Sequence, residues 1–303
     1  MISYDEYHSY SKMWILVLYK LIKTYVMAKN ILLPTDFSDN AWSAAVYALK
    51  LYADEECTFY FLHSSKIKAS AMSNITNRLL RVMTENAKRD LAELKEMAEK
   101  ANTNASHNFE TILSSEDLHD SIKRTIAQFN IDLVVMGTKG ATKAKEILFG
   151  SNTVNVFKKI KECPVLVVPD EYDFETPKQI VFPTDFNRFY GEELISLKRL
   201  AELHNSKIKI LHINEENNLS DIQNYNFSML KAYLEDYPHT FHWMPDYAKK
   251  SQAINEFIEE LGINILAIIN YKHSFIENII KEPVLKKIGF HPTVPFLVIP
   301  GSE

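Results

Sequence analysis

The chain has 303 residues, 46% hydrophobic and 24% charged, enough for two globular domains of ordinary size. A formal net charge of -5 gives no global basic field, so neither nucleic acid nor acidic membrane is an expected partner. Two cysteines, Cys57 and Cys163, have no CxxC spacing, which argues against a zinc ribbon or redox motif and fits a reducing cytoplasm. At the N-terminus, residues 14–27 are apolar but short for a span of roughly 20 residues, and they carry Lys20 and Lys23. Acidic Asp5 and Glu6 precede them and no small-residue cleavage site follows, unlike a secretory signal. Residues 1–26 read as an appendage or a mis-assigned translation start, with a membrane-touching helix as the competing reading.

From Met27 onward, strands are predicted near 29–34, 58–63, 107–112, 131–136 and 164–168, and helices near 39–53, 70–101, 116–129 and 151–161. The strands are short apolar runs, not strict alternations, which indicates burial on both faces. The second helix carries Leu79, Leu80, Met83, Ala87, Leu91, Leu94 and Ala98 at mainly three- and four-residue spacing. Alternating strands and helices imply a parallel sheet with right-handed crossovers and helices on both sides. Ligands of such sheets bind beyond the carboxyl ends of the strands.

The pattern then repeats. Ile31-Leu-Leu-Pro-Thr-Asp-Phe37 recurs as Ile180-Val-Phe-Pro-Thr-Asp-Phe186, and Phe61-Leu-His-Ser64 as Ile210-Leu-His-Ile213, both at an offset of 149. Cys163-Pro-Val-Leu-Val-Val-Pro169 recurs as Val294-Pro-Phe-Leu-Val-Ile-Pro300 at an offset of 131. The order is the same in both halves, which signals duplication. The expected organisation is a domain over 27–170, an acidic linker over 171–178 containing Pro177, and a second domain over 179–303.

Three of the seven glycines fall in one stretch, Gly137-Thr-Lys-Gly140 followed by Gly150-Ser151. A strand runs into this loop and a helix starts after it. Backbone N–H groups converge at such a junction and the helix dipole favours negative charge, so the arrangement suits an anion.

These residues resemble the universal stress protein family, whose nucleotide pattern is glycine, two residues, glycine, nine residues, glycine, then serine or threonine. Gly137, Gly140, Gly150 and Ser151 match every spacing, and the Pro-Thr-Asp-Phe-Ser opening and the Cys-Pro-Val-Leu-Val-Val-Pro strand are similar too. The resemblance covers nearly everything from Met27 as a tandem pair. It implies two α/β, flavodoxin-like domains, each a five-stranded parallel sheet of order 3-2-1-4-5, binding ATP or a related adenine nucleotide with or without Mg2+. It also implies an internal pseudo-dimer through closing strands 164–168 and 295–299, and it is compatible with a homo-oligomer.

Asp36 matches the acidic residue that contacts the adenosine in the family; the competing reading is that it braces the Pro34-Thr35-Asp36 loop before Ser38 caps a helix. Gly137 and Gly140 would admit the phosphates, and Gly150, Ser151 and Asn152 would open a helix whose N–H groups and hydroxyl donate to them, unless these glycines serve turns alone. Lys139, Lys143 and Lys145 would add positive charge or simply be solvated. Leu62 and Met136 would flank the adenine or belong to the core, and His63 and His212 read as packed, hydrogen-bonded residues.

Carrying the offset of 131 back places Ile268, Tyr271, Lys281 and Glu282 at the positions of Gly137, Gly140, Gly150 and Ser151; a one-residue shift at the earlier positions restores no glycine. Bulky side chains and Glu282 oppose a triphosphate there: at about 4 Å and a dielectric near 20, repulsion is on the order of 4 kcal/mol per unit charge. No Walker A ending, magnesium-spaced carboxylates or nucleophile triad is legible, so no catalytic residue is assigned. The expected function is an ATP-binding stress-response sensor acting through its first half. A nucleotide-independent scaffold and a slow ATP hydrolase are the alternatives.

Overall fold

In the computed structural model, residues 28–65, 77–138, 150–170, 172–214, 219–244, 250–271 and 293–301 are described. The apolar runs become the strands of one sheet: β1 (Lys29–Pro34), β2 (Cys57–Ser64), β3 (His107–Ser114), β4 (Leu133–Gly137), β5 (Val165–Val168), β6 (Gln179–Pro183), β7 (Lys207–Ile213), β8 (His239–Met244), β9 (Ile265–Asn270) and β10 (Phe296–Pro300). Helices between them are α1 (Asp39–Leu51), α2 (Asn77–Ala101), α3 (Leu118–Phe129), α4 (Ser151–Lys159), α5 (Glu193–Leu203), α6 (Asp221–Tyr233) and α7 (Lys250–Glu260).

The sheet order is β3-β2-β1-β4-β5-β10-β9-β6-β7-β8, so each half has the order 3-2-1-4-5. Neighbours are parallel except at the centre, where Val165, Leu166 and Val167 of β5 face Val298, Leu297 and Phe296 of β10 in antiparallel register. The closing strands therefore join the halves, as the resemblance implied. One buried cluster holds side chains of α1, α2, α5 and α6 against one face of the sheet; a second holds those of α3, α4 and α7 against the other. Both clusters draw on both halves. Burial of each Leu, Ile or Phe contributes about 1.5–3 kcal/mol, so these clusters are the main source of stability.

Local signals start and stop the elements that carry the candidate residues. Ser38 Oγ accepts from Ala41 N at 3.3 Å and Asp39 lies in the first turn, which sets the start of α1. Asn130, left-handed at φ 48°, ends α3 and lets the chain turn into β4. Asp132 Oδ2 takes the Asn30 N–H at 3.0 Å, so β4 enters the sheet two residues later than the apolar run begins.

Strand pairing corrects one alignment. Ile31 pairs with Leu133 and its counterpart Ile180 with Ile265, which makes the offset from β4 to β9 132, the difference between 265 and 133. Gly137 therefore corresponds to Ile269, not Ile268, and Tyr271 takes the place of Lys139, not of Gly140. Among the described residues, no helix is long and apolar enough to cross a membrane; residues 1–26 lie outside them.

Candidate functional site

A cavity of about 290 Å³ opens where β1, β2 and β4 end and α4 begins. Its lining contains eight of the residues expected to bind nucleotide: Pro34, Thr35, Asp36, Met136, Gly137, Gly150, Ser151 and Asn152. Lys139 and Gly140 lie outside the described residues, as do Lys143 and Lys145. Leu62 does not reach the cavity. It is fully buried in the cluster that holds Ile122 and Ile126 of α3, because alternation along β2 turns it toward that helix. The lining also includes Ala41, His63, Ser64, Leu118 and Thr153. Of these, His63 was expected only as a packed, hydrogen-bonded residue; its place with Ser64 at the end of an apolar run is the signal that could have marked both.

The Pro-Thr-Asp-Phe turn holds one wall. Thr35 N donates to Leu62 O at 2.8 Å and Thr35 Oγ1 accepts from Phe37 N at 3.0 Å. Asp36 Oδ1 accepts from Ser38 Oγ at 2.6 Å and from Ser38 N at 3.2 Å, which lets Phe37 adopt a φ of 63°. His63 Nδ1 donates to Thr35 O at 2.9 Å, and its ring packs 4.5 Å from that of Phe37. The same turn recurs around Thr184, where Phe186 N donates to Thr184 Oγ1 at 3.0 Å and His212 Nδ1 donates to Thr184 O at 2.8 Å. Residues shared by both halves thus build the turn. Asp36 braces it and also lines the cavity.

The opposite wall is specific to the first half. Gly137 sits where α1 crosses β4: a Cβ there would lie 2.0 Å from Asn40 Oδ1 and 2.9 Å from Asn40 O. Asn40 Nδ2 in turn donates to Asp170 Oδ1 at 3.2 Å beyond the end of β5. Gly150 N donates to Thr138 O at 2.7 Å, and Thr153 Oγ1 reaches Gly137 O at 3.2 Å, so α4 is pinned to the end of β4. Gly150 is the N-cap of α4 and offers no side-chain cap, so the first helical turn presents backbone donors at the cavity.

Among the described residues, the corresponding place in the second half holds large side chains. Tyr190 Oη bonds Thr184 Oγ1 at 2.7 Å, Tyr271 Oη donates to Asp185 Oδ1 at 3.1 Å, and the Arg188 guanidinium lies 4.7 Å from the centre of the Tyr271 ring. Burial pushes the Tyr271 hydroxyl up to about 12 and raises that of Tyr190 well above its ordinary value, so both remain neutral hydroxyls. Lys281 and Glu282 lie outside the described residues.

Near the first cavity, ligand atoms of Asp117, His119 and Asp120 lie within 4.8 Å of one another at the start of α3. His119 also meets Lys159 Nζ at 3.1 Å, so this partly exposed trio has a cation beside it already.

Residues 27–169 match the model of the universal stress protein family. Universal stress protein MJ0577 of Methanocaldococcus jannaschii is 32% identical over 160 residues, 47% of this chain and 96% of that protein. Universal stress protein MJ0531 of the same organism is 29% identical over 150 residues, 46% of this chain and 81% of its own length. A universal stress protein structure from Archaeoglobus fulgidus superposes with a TM-score of 0.67 at 19% identity, covering 90% of this chain and 97% of that one, and so shares the fold over both halves. On the family match and the identity over nearly the whole of MJ0577, the chain belongs to the universal stress protein family.

Proposed function

We propose that the first half binds ATP or a related adenine nucleotide and that the protein acts as a stress-response sensor. One observation carries this reading: Asp36, Gly137, Gly150, Ser151 and Asn152, distant in sequence, share one cavity at the strand ends. Asp36 would meet the adenosine, Met136 would flank the base, and the α4 donors, with the Gly140 backbone, would hold the phosphates. Hydrogen bonds involving charge contribute about 1.5–3 kcal/mol each, so three or four give useful affinity before association costs. Two family domains, 27–170 and 179–303, joined by 171–178, are part of this reading, with the second as a structural or regulatory partner. Buried free thiols at Cys57 and Cys163 agree with a reducing cytoplasmic setting.

Titration of the pure chain with ATP tests the proposal. Wild type is expected to bind one nucleotide per chain, and Gly140→Val to bind at least about tenfold more weakly, the factor that 1.4 kcal/mol produces. No binding at millimolar ATP would overturn it, and two nucleotides per chain in a native mass spectrum would contradict a single site. A nucleotide-independent scaffold is the second reading. It is favoured by the architectural duties of Asp36 in its turn and of Gly137 against Asn40.

A further inference from the structure

α2 runs for 25 residues, whereas α6, the helix at the same place in the second half, runs for 13. The side chains that α2 buries, Ala87, Leu91, Leu94 and Ala98, all lie at or beyond position 87. Leu79 and Met83 continue the apolar spacing of the helix, yet they reach no core. Leu79, Val82, Met83 and Met97 are 46, 49, 43 and 48% exposed. Leu79 and Met97 stand 18 residues apart, about five turns at 3.6 residues each, so they lie along one side of α2 with Met83 close to the same line. Exposed apolar side chains grouped in this way mark an interaction surface.

Charge says what covers it. Residues 77–89 carry Arg78, Arg81, Lys88 and Arg89 against Glu85 alone, and residues 90–101 carry Asp90, Glu93, Glu96 and Glu99 against Lys95 and Lys100. No acidic residue stands in the first turn. This distribution opposes the dipole of the helix, which favours anions at the N-terminus and cations at the C-terminus. Pairs within α2 answer part of it: Lys88 meets Glu85 at 3.3 Å, Arg89 meets Asp90 at 3.0 Å and Lys100 meets Glu96 at 2.6 Å. Arg78 and Arg81 pair with no carboxylate among the described residues. A pattern that costs the single helix stability suits an antiparallel copy of it, because the basic half of each then lies beside the acidic half of the other.

We propose that α2 is a contact between two copies of this chain, paired antiparallel about a two-fold axis near position 88. In such a contact each residue meets the one at equal distance on the other side of the axis. Leu79 of each copy packs against the partner's Met97, and Met83 extends the apolar contact toward the axis. Arg78 and Glu96 are also 18 residues apart and share the neighbouring flank, so Arg78 faces the partner's Glu96. The contact lies at the β3 end of the sheet, away from the central β5–β10 pair, and joins whole chains through their first halves.

Sedimentation velocity of the full chain at low salt, over a concentration series into the millimolar range, tests this. A reversible monomer–dimer equilibrium is expected, weak because one helix pair makes a small interface. Arg78→Glu and Glu96→Arg should each weaken dimerisation at least about fivefold, since the two-fold repeats every reversal, and the double variant should return to within about twofold of wild type. Arg78→Glu places an acid in the first turn, so it leaves the helix itself intact. Under mild oxidation, Leu79→Cys chains mixed with Met97→Cys chains should form a disulfide-linked pair, whereas Lys88→Cys, half a turn round the helix from both, should not link to itself. A chain that stays monomeric overturns the proposal. So does a dimer that the single reversals leave unchanged or the double variant fails to restore, and so does linking through Lys88→Cys in preference to the mixed pair.

Discussion

Gly137 has a duty that no reading of its own neighbourhood reveals. The glycine spacing suggested phosphate approach, yet the atoms that forbid a side chain belong to Asn40 on α1, at 2.0 and 2.6 Å from an added Cβ. Gly137→Ala should therefore destabilise the nucleotide-free protein by about 1–3 kcal/mol, the usual penalty for overpacking. Thermal melts without ATP would measure this, and Asn40→Ala in the same chain should recover part of the loss, because the two closest atoms are in its side chain. An unchanged melt would show that Asn40 moves aside freely. The cysteines make a second residue-scale case. Burial pushes both the Cys57 and Cys163 thiols up to about 12, so they stay protonated at neutral pH. In the native protein, iodoacetamide at pH 8 should label neither within the time that labels both in urea, as followed by intact mass.

At the scale of elements, sequence and structure agree where burial alone decides. The strand expected at 29–34 is β1 to the residue, and the helices expected at 39–53 and 151–161 differ from α1 and α4 only at their last residues. Apolar runs flanked by an N-cap serine or a glycine suffice for that. The start of α5 is different: the repeat would begin it at Arg188, the counterpart of Asp39, but it begins at Glu193. Ile269 stands where Gly137 would be, so the glycine that lets α1 approach β4 closely has no counterpart here. The chain over 184–192 instead packs Tyr190 inward. Such an onset depends on a contact between distant segments, which no local pattern encodes. The same holds in the candidate site, where Asp36, Gly150 and Ser151 were legible from spacing, whereas Leu118 arrives only with the packing of α3. Ile269→Gly should accordingly not create a second nucleotide site, since Tyr190 and Tyr271 still fill the space. Removal of that buried side chain should cost about 2–5 kcal/mol, with binding stoichiometry unchanged.

At the scale of the molecule, the antiparallel β5–β10 pair and two cores that each draw on both halves tie them into one packed body. Its alkaline limit follows from buried acids. Cys57 and Cys163 rise from 9.0 to about 12, and Tyr172 and Tyr271 from 10.0 to about 12, all through burial. Above pH 9 the unfolded chain sheds these protons while the folded chain keeps them, so the unfolded state binds fewer and stability falls with rising pH. Urea melts should show the loss beginning near pH 9 and continuing to about 12, with each cysteine adding up to about 1.4 kcal/mol per pH unit. Below about pH 8 these groups contribute little slope. Shared cores also dictate how a ligand confined to the first half acts. If the halves melted separately, ATP would raise only the transition of the half that binds it. Because both cores cross the β5–β10 junction, calorimetry should show a single transition that ATP moves as a whole. At a free concentration of 100 times the dissociation constant, the added stability should be about 2.7 kcal/mol. Two resolved transitions, only one of them responsive to ATP, would mean that the junction transmits nothing and that the second half cannot report on the first.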